Sequence, residues 1–303
     1  MIERNGVVID DTFAEAFPMK ATRLVVTAHN MQWAMNAALA ATGFATSVIG
    51  CGCEAGIEAE LSPEQTPDGR PGVALLFFAM SGKELAKQIE RRVGQCVLTC
   101  PTTAVFAGLD DGEPIALAKN LRFFGDGWQI SKVIGARRYW RVPVMDGEFV
   151  GEETTPVTQA VGGGNLLLLA RDTDTALAGA EAAVTAMRKL PGVILPFPGG
   201  VVRSGSKVGS KYAALSASTN HAFCPSLGSL VADSALTPDI RCVMEIVIDG
   251  LTATDVAAAM KTGVDAIVAR GASAGVLRIS AGNYGGKLGP FLFHLKELVG
   301  GGA

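Results

Sequence analysis

The sequence predicts an α+β protein made of two ferredoxin-like lobes related by internal duplication. Each lobe is expected to be a β-α-β-β-α-β unit with helices on one face of an antiparallel sheet. Three observations carry this. Strand-like and helix-like patterns follow one another in the same order in both halves. TPDGRPGVALLFF, starting at Thr66, parallels TPDIRCVMEIVID, starting at Thr237, and each precedes an amphipathic pattern of similar length. At 303 residues the chain is also too long for one ordinary core. The lobes are expected over 1–155 and 156–303.

In the first half, TRLVVTAH (22–29) reads as a strand and the alanine-rich 31–43 as a helix stopping at Gly43. ATSVIGC (45–51) reads as a second strand and PGVALLFFAM (71–80) as a buried one. KELAKQIERRVGQCVL (83–98) has a helical apolar stripe. In the second half, GNLLLLARD is a strand, 176–192 a helix, VILPF and CVMEIVID (242–249) strands, 252–270 a helix and GVLRIS the last strand. Between the halves, about 99–155 forms a hairpin-rich insertion. RRYWRVPV alternates like a strand, and Asp126-Gly127 and Asp146-Gly147 are hairpin-turn pairs. Its aromatic residues, Trp128 and Trp140 among them, fit an interface better than a linker.

Composition narrows the function. A formal charge of −3 with 18% charged residues lacks the basic excess of a nucleic-acid protein. The acidic start is not an export signal, and apolar runs such as 73–80 and 166–170 are far shorter than the roughly 18 residues that span a bilayer, so a cytoplasmic protein with no membrane partner is expected. Cys51, Cys53, Cys96, Cys100, Cys224 and Cys242 lack zinc spacing, and the three histidines are scattered, so no metal site is expected. Neither a GxSxG nucleophile motif nor a GxGxxG after the first strand is found.

The chemistry concentrates in two glycine-rich segments and one acid. ISAGNYGGKLG (279–289) and PFPGGVVRSGSKVGSKY (196–212) place backbone donors and cations between apolar runs rather than in linker sequence. Gly199, Gly200, Arg203, Ser206, Lys207 and Lys211 come from the second segment; Asn283, Tyr284, Gly285, Gly286 and Lys287 come from the first. Glu245 interrupts the apolar strand CVMEIVI. Facing the interior, its carboxyl would be desolvated and shifted toward neutrality; strand alternation equally fits a solvated face. Glu54, taken to end a strand, and the Asp68/Arg70 turn form a further polar cluster, which also fits ordinary turn chemistry.

Ten segments then carry a resemblance: DTFAEAF (11–17), ATGFATSVI (41–49), EAGI (54–57), TPDGRPGV (66–73), FFGDG (123–127), PFPGG, SKVGSK (206–211), ASTN (217–220), CVMEIVIDGL (242–251) and ISAGNYGGKLG. Together they resemble the formylmethanofuran:tetrahydromethanopterin formyltransferases from the first ten residues almost to the C-terminus. The resemblance implies reversible formyl transfer between methanofuran and N5 of tetrahydromethanopterin, both as coenzyme substrates, with no metal or prosthetic group. It also implies a cleft completed by a neighbouring subunit in a homo-oligomer, with a tetramer expected. The modest charge and alanine-rich composition point to a methylotrophic bacterial form, working in formaldehyde oxidation to formate with hydrolase subunits of a formyltransferase/hydrolase complex. On this reading Glu245 relays the proton, backbone N–H groups of 199–200 and 283–286 polarise the formyl oxygen, and Arg203, Lys207, Lys211 and Lys287 meet the acidic coenzyme tails. A non-catalytic pterin-binding or scaffold subunit and a metal-free amidase are the competing functions.

Overall fold

The structure, a computed structural model, describes residues 1–300. It is a mixed α/β architecture that divides into two compact units, Met19–Ala160 and Met1–Pro18 with Val161–Ala303. Residues 1–18, expected in the first lobe, therefore belong with the C-terminal unit. Strand pairing is the reason. Val7–Ile9 runs parallel to Val276–Ser280, with Ile9 opposite Ile279. Phe13–Thr27 begins by pairing antiparallel with Phe291–His294, Ala16 opposite Phe291.

Within Met19–Ala160, the later part of Phe13–Thr27 is flanked by Gly72–Ala79 and Ala104–Ala107, both antiparallel to it. Glu54–Leu61 pairs antiparallel with the outer edge of Gly72–Ala79, and Gly147–Glu152 runs parallel to Ala104–Ala107. Helices Met31–Thr42 and Gly82–Arg92 start where Asn30 and Ser81 accept N–H bonds from Trp33 and Glu84. Their apolar stripes, including Ala34, Ala38, Leu85 and Ile89, meet Leu75 and Phe77 of the sheet. Each large side chain buried this way contributes about 1.5–3 kcal/mol.

Three local expectations for this unit change. ATSVIGC is not a strand: Val48–Cys51 is a helical turn, begun by Ser47 and ended by Gly52 at φ 78°, a left-handed conformation that glycine adopts without strain. The Glu54 carboxylate accepts the Val48 N–H at 3.0 Å, so Glu54 opens the next strand rather than closing a previous one. Asp126-Gly127 is not a hairpin turn either; it follows the 3-10 turn Arg122–Gly125. The two hairpins of the insertion turn at Gly135-Ala136 and at Met145-Asp146, one residue before the expected pair, joining Ile130–Ile134, Arg137–Val144 and Gly147–Glu152.

In the other unit, Thr154–Ala170 arrives from the insertion and is flanked antiparallel by Cys242–Gly250, with Leu167 opposite Glu245, and by Val276–Ser280. Val193–Ile194 pairs with the outer edge of Cys242–Gly250. That strand is shorter than VILPF because PFPGG turns immediately instead of extending, and the helix before it, Thr173–Met187, stops short of 192, where Pro191 and Gly192, at φ 75°, do not continue a helix. Helices Thr173–Met187 and Ala253–Arg270 cover one face, where Leu166, Leu168, Ile246 and Ile248 meet Ala180, Val264 and Ile267. Thr252 and Asp255 form a reciprocal capping box at the start of the second helix.

Candidate active site

In this unit the face of the sheet opposite the helices is the informative one. Leu167 and Leu169 point away from the helices, and Val243 and Leu277 join them. A surface this apolar is roofed by Phe223, Leu236 and Ile240 from the long segment between 195 and 241. Glu245 alternates onto the same face. Its backbone also pairs outward with Val202, donating to the Val202 carbonyl at 2.9 Å and accepting from the Val202 N–H at 2.7 Å. The strand that carries the acid is thus tied to the residues just after Gly199 and Gly200. The glycines themselves turn with φ 66° and 85°.

Leu167 and Phe223 also border a cavity of about 580 Å³. Of the residues singled out from the sequence, Glu245, Ser206, Lys207, Asn283 and Tyr284 line it, together with Asp10, Thr12, Asn165, Asn220, Phe223, Arg278 and Ser280. Glu245 is only partly covered by area, yet the mass of protein around its carboxyl desolvates it and pushes its pKa up to about 7. Burial, then the nearby Glu245 and Glu15 charges, push the Tyr284 phenol upward as well. The acid can therefore exchange a proton near neutral pH inside a polar chamber.

The chamber wall is held by side chains that fasten backbone. Asn165 accepts the Gly282 N–H at 2.6 Å and donates to the Gly282 carbonyl at 3.1 Å. Asn283 donates to Thr12 Oγ1 and to the Phe13 carbonyl, each at 3.1 Å, and accepts the Gly285 N–H. Arg278 Nε donates to both oxygens of Asp10, at 2.7 and 2.9 Å, and Nη1 reaches the Ala235 carbonyl at 3.1 Å. Glu15 takes the N–H groups of Tyr284, Gly286, Leu288 and Gly289. The Tyr284, Gly285 and Gly286 N–H groups, among the backbone donors expected to polarise a formyl oxygen, are thus bonded within the protein. The Gly200 N–H is likewise bonded to the Phe197 carbonyl, at 2.7 Å.

The remaining anticipated residues divide in two. Arg203, Lys211, Gly285, Gly286 and Lys287 are exposed and outside the cavity lining. Glu54, Asp68 and Arg70 belong to the Met19–Ala160 unit, where they fasten its own loops: Arg70 donates to Asp68, Thr27 Oγ1 and the Thr102 carbonyl. Asp10, Asn165, Arg278 and Ser280 were not singled out from the sequence. The available signal was a polar residue in an otherwise apolar strand, as at Asn165 in GNLLLLA, the same signal that marks Glu245. Among the described residues no group of three or more His, Cys, Asp or Glu side chains is gathered to hold a metal ion, and no helix is long and apolar enough to cross a membrane.

Comparison with known proteins decides the family. The family model for formylmethanofuran-tetrahydromethanopterin formyltransferase matches residues 2–144, and the model for the proximal lobe of the same family matches 147–298. The chain belongs to the formylmethanofuran–tetrahydromethanopterin formyltransferase family. A formyltransferase of this name from Methylococcus capsulatus is 66% identical over 97% of the chain and 99% of that protein. The formyltransferase/hydrolase complex of Methylorubrum extorquens, whose crystal structure contains methylofuran, includes a chain that superposes with a TM-score of 0.96 at 51% identity, covering 98% of both chains. The formyltransferase of Methanosarcina barkeri gives 0.92 at 47% identity, covering 98% of this chain and all of that one. The formyltransferase family thus accounts for the whole cavity-bearing unit as well as its companion.

Proposed function

We propose that this chain transfers a formyl group reversibly between the amine of methanofuran and N5 of tetrahydromethanopterin, in the cavity around Glu245. The observation that carries the reading is a carboxyl poised near pH 7 in a polar chamber of a chain that matches the formyltransferases along its length. The acceptor nitrogen attacks the formyl carbon, a C–N bond forms, and a tetrahedral adduct carries the oxygen charge. Glu245 takes the proton from the attacking nitrogen and returns it to the departing one as the original C–N bond breaks. Lys207 and Asn220 at the cavity wall are suited to the coenzymes' polar groups.

Pure protein incubated with formyl-tetrahydromethanopterin should release the free pterin only when methanofuran is also supplied, giving formylmethanofuran. Formate without an acceptor would mean an amidase, and no turnover with both coenzymes would mean a scaffold. A bacterial role in formaldehyde oxidation to formate, in the cytoplasm, follows from the same reading.

The lobes are read as duplicated ferredoxin-like units. Supporting this, each unit orders its four main strands second, third, first, fourth, all antiparallel, and then adds a parallel neighbour. The insertion is read as the surface that assembles with further copies or with hydrolase subunits. All five side chains of Ile130–Ile134 are exposed, this strand pairs only with Arg137–Val144 among the described residues, and Trp128 beside it is 81% exposed. Apolar edges of this kind are ordinarily covered. Val133→Lys is expected to lower the mass of the assembled particle in native mass spectrometry without changing the circular dichroism of the chain; an unchanged mass would count against the assignment.

A further inference from the structure

Glu15 lies in the segment Phe13–Thr27 and is 1% exposed. Its Oε2 accepts the N–H groups of Tyr284 and Gly286 at 2.7 and 2.8 Å, and its Oε1 accepts those of Leu288 and Gly289 at 2.6 and 2.7 Å. A carboxylate offers about four acceptor sites, and all are used. The segment that supplies these donors has little apolar packing of its own, since Gly285, Gly286, Lys287 and Leu288 are exposed. Its Tyr284 ring meets Phe17 of the neighbouring strand, centroids 6.0 Å apart, and at Gly289 a Cβ would come within 2.2 Å of the Ala16 carbonyl. Burial by itself would raise the Glu15 carboxyl, but the four N–H donors outweigh it and hold its pKa at about 2. The fastening is therefore a permanent anion rather than a titrating switch.

We infer that Glu15 is a positioning residue for formyl transfer, its carboxylate fixing the backbone of 284–289 and thereby the Asn283 and Tyr284 wall of the reaction cavity. Asn165 on Gly282 and Asn283 on Thr12 and Phe13 hold the near side of that wall; Glu15 holds the far side. A wall displaced by about 1 Å can lower turnover about 100-fold without removing any group that touches substrate. The inference rests on the formyl-transfer reading of this cavity, and the exchange measurement below is independent of it.

Glu15→Gln keeps the shape but sets an NH2 group against two N–H donors. Hydrogen exchange at Tyr284, Gly286, Leu288 and Gly289 is expected to accelerate about tenfold or more while amides of Cys242–Gly250 keep wild-type protection, with kcat falling about tenfold or more and KM changing far less. Glu15→Asp, which keeps the charge and shortens the reach, should recover part of both losses, and it substitutes for the first variant if that one does not fold. Unchanged exchange at these four amides, wild-type kcat, or loss of protection throughout the unit in step with activity would each overturn the assignment. An inactive wild type with the predicted exchange pattern would instead remove the functional reading and leave the fastening in place.

Discussion

Glu245→Gln is expected to lower kcat by about 100- to 10,000-fold while KM stays within a few-fold of wild type, the signature of a group that acts in the transition state more than in binding. Glutamine preserves the volume and one carbonyl acceptor but cannot carry a proton between two nitrogens. Among the other titratable groups lining the cavity, Asp10 is engaged by Arg278, and Tyr284 has its phenol shifted upward by burial and by two carboxylates, which makes it a poor acceptor at neutral pH. The Glu245 backbone is fixed on both sides, by Leu167 and by Val202, so the substitution should leave the strand in register. Steady-state kinetics with both coenzymes checks this, and near-wild-type turnover would remove Glu245 from the mechanism.

How far this site could be read from the chain depends on how local its causes are. Glu245 was legible because a carboxylate inside CVMEIVI is conspicuous. The sequence did not say which face it takes, because that depends on residues outside the strand, such as Phe223, which lines the same cavity. The recurring order of strands and helices was legible for the same local reason: each element carries its own period in both halves. Glu15 was not, because in DTFAEAF it alternates as an exposed residue would, and its partners lie 269 to 274 positions away. The cations Arg203, Lys211 and Lys287 drew attention by charge, yet charge alone does not orient a side chain, and they stand outside the cavity lining. ATSVIGC misled through β-branched residues whose propensity was overridden by two local caps, Ser47 and Glu54, at the start of a single helical turn.

The same burial that suits Glu245 to proton transfer should cost stability as pH rises. Its folded pKa of about 7 stands above the ordinary 4.5, so between these values the folded state binds more protons than the unfolded one. Stability therefore declines as pH climbs from about 4.5 through 7 and levels off beyond, by about 3 kcal/mol in all if the full shift is realised. Glu15 works with the opposite sign and elsewhere on the scale: its pKa is lowered to about 2, so its contribution is complete above 4.5 and is lost only as pH falls toward 2. Buried Glu152, whose carboxyl is also raised by burial, adds a slope of the same sign as Glu245, so the wild-type profile alone does not isolate Glu245. The difference between wild type and Glu245→Gln does. Urea unfolding at a series of pH values is expected to find the two proteins similar near pH 4 and the variant more stable by about 3 kcal/mol at pH 8. A constant offset across the series would mean that the carboxyl is solvated in the folded protein, and the neutral-pH relay would lose its physical basis. A widening gap accompanied by lost turnover would tie the conformational cost and the catalytic gain to one desolvated group.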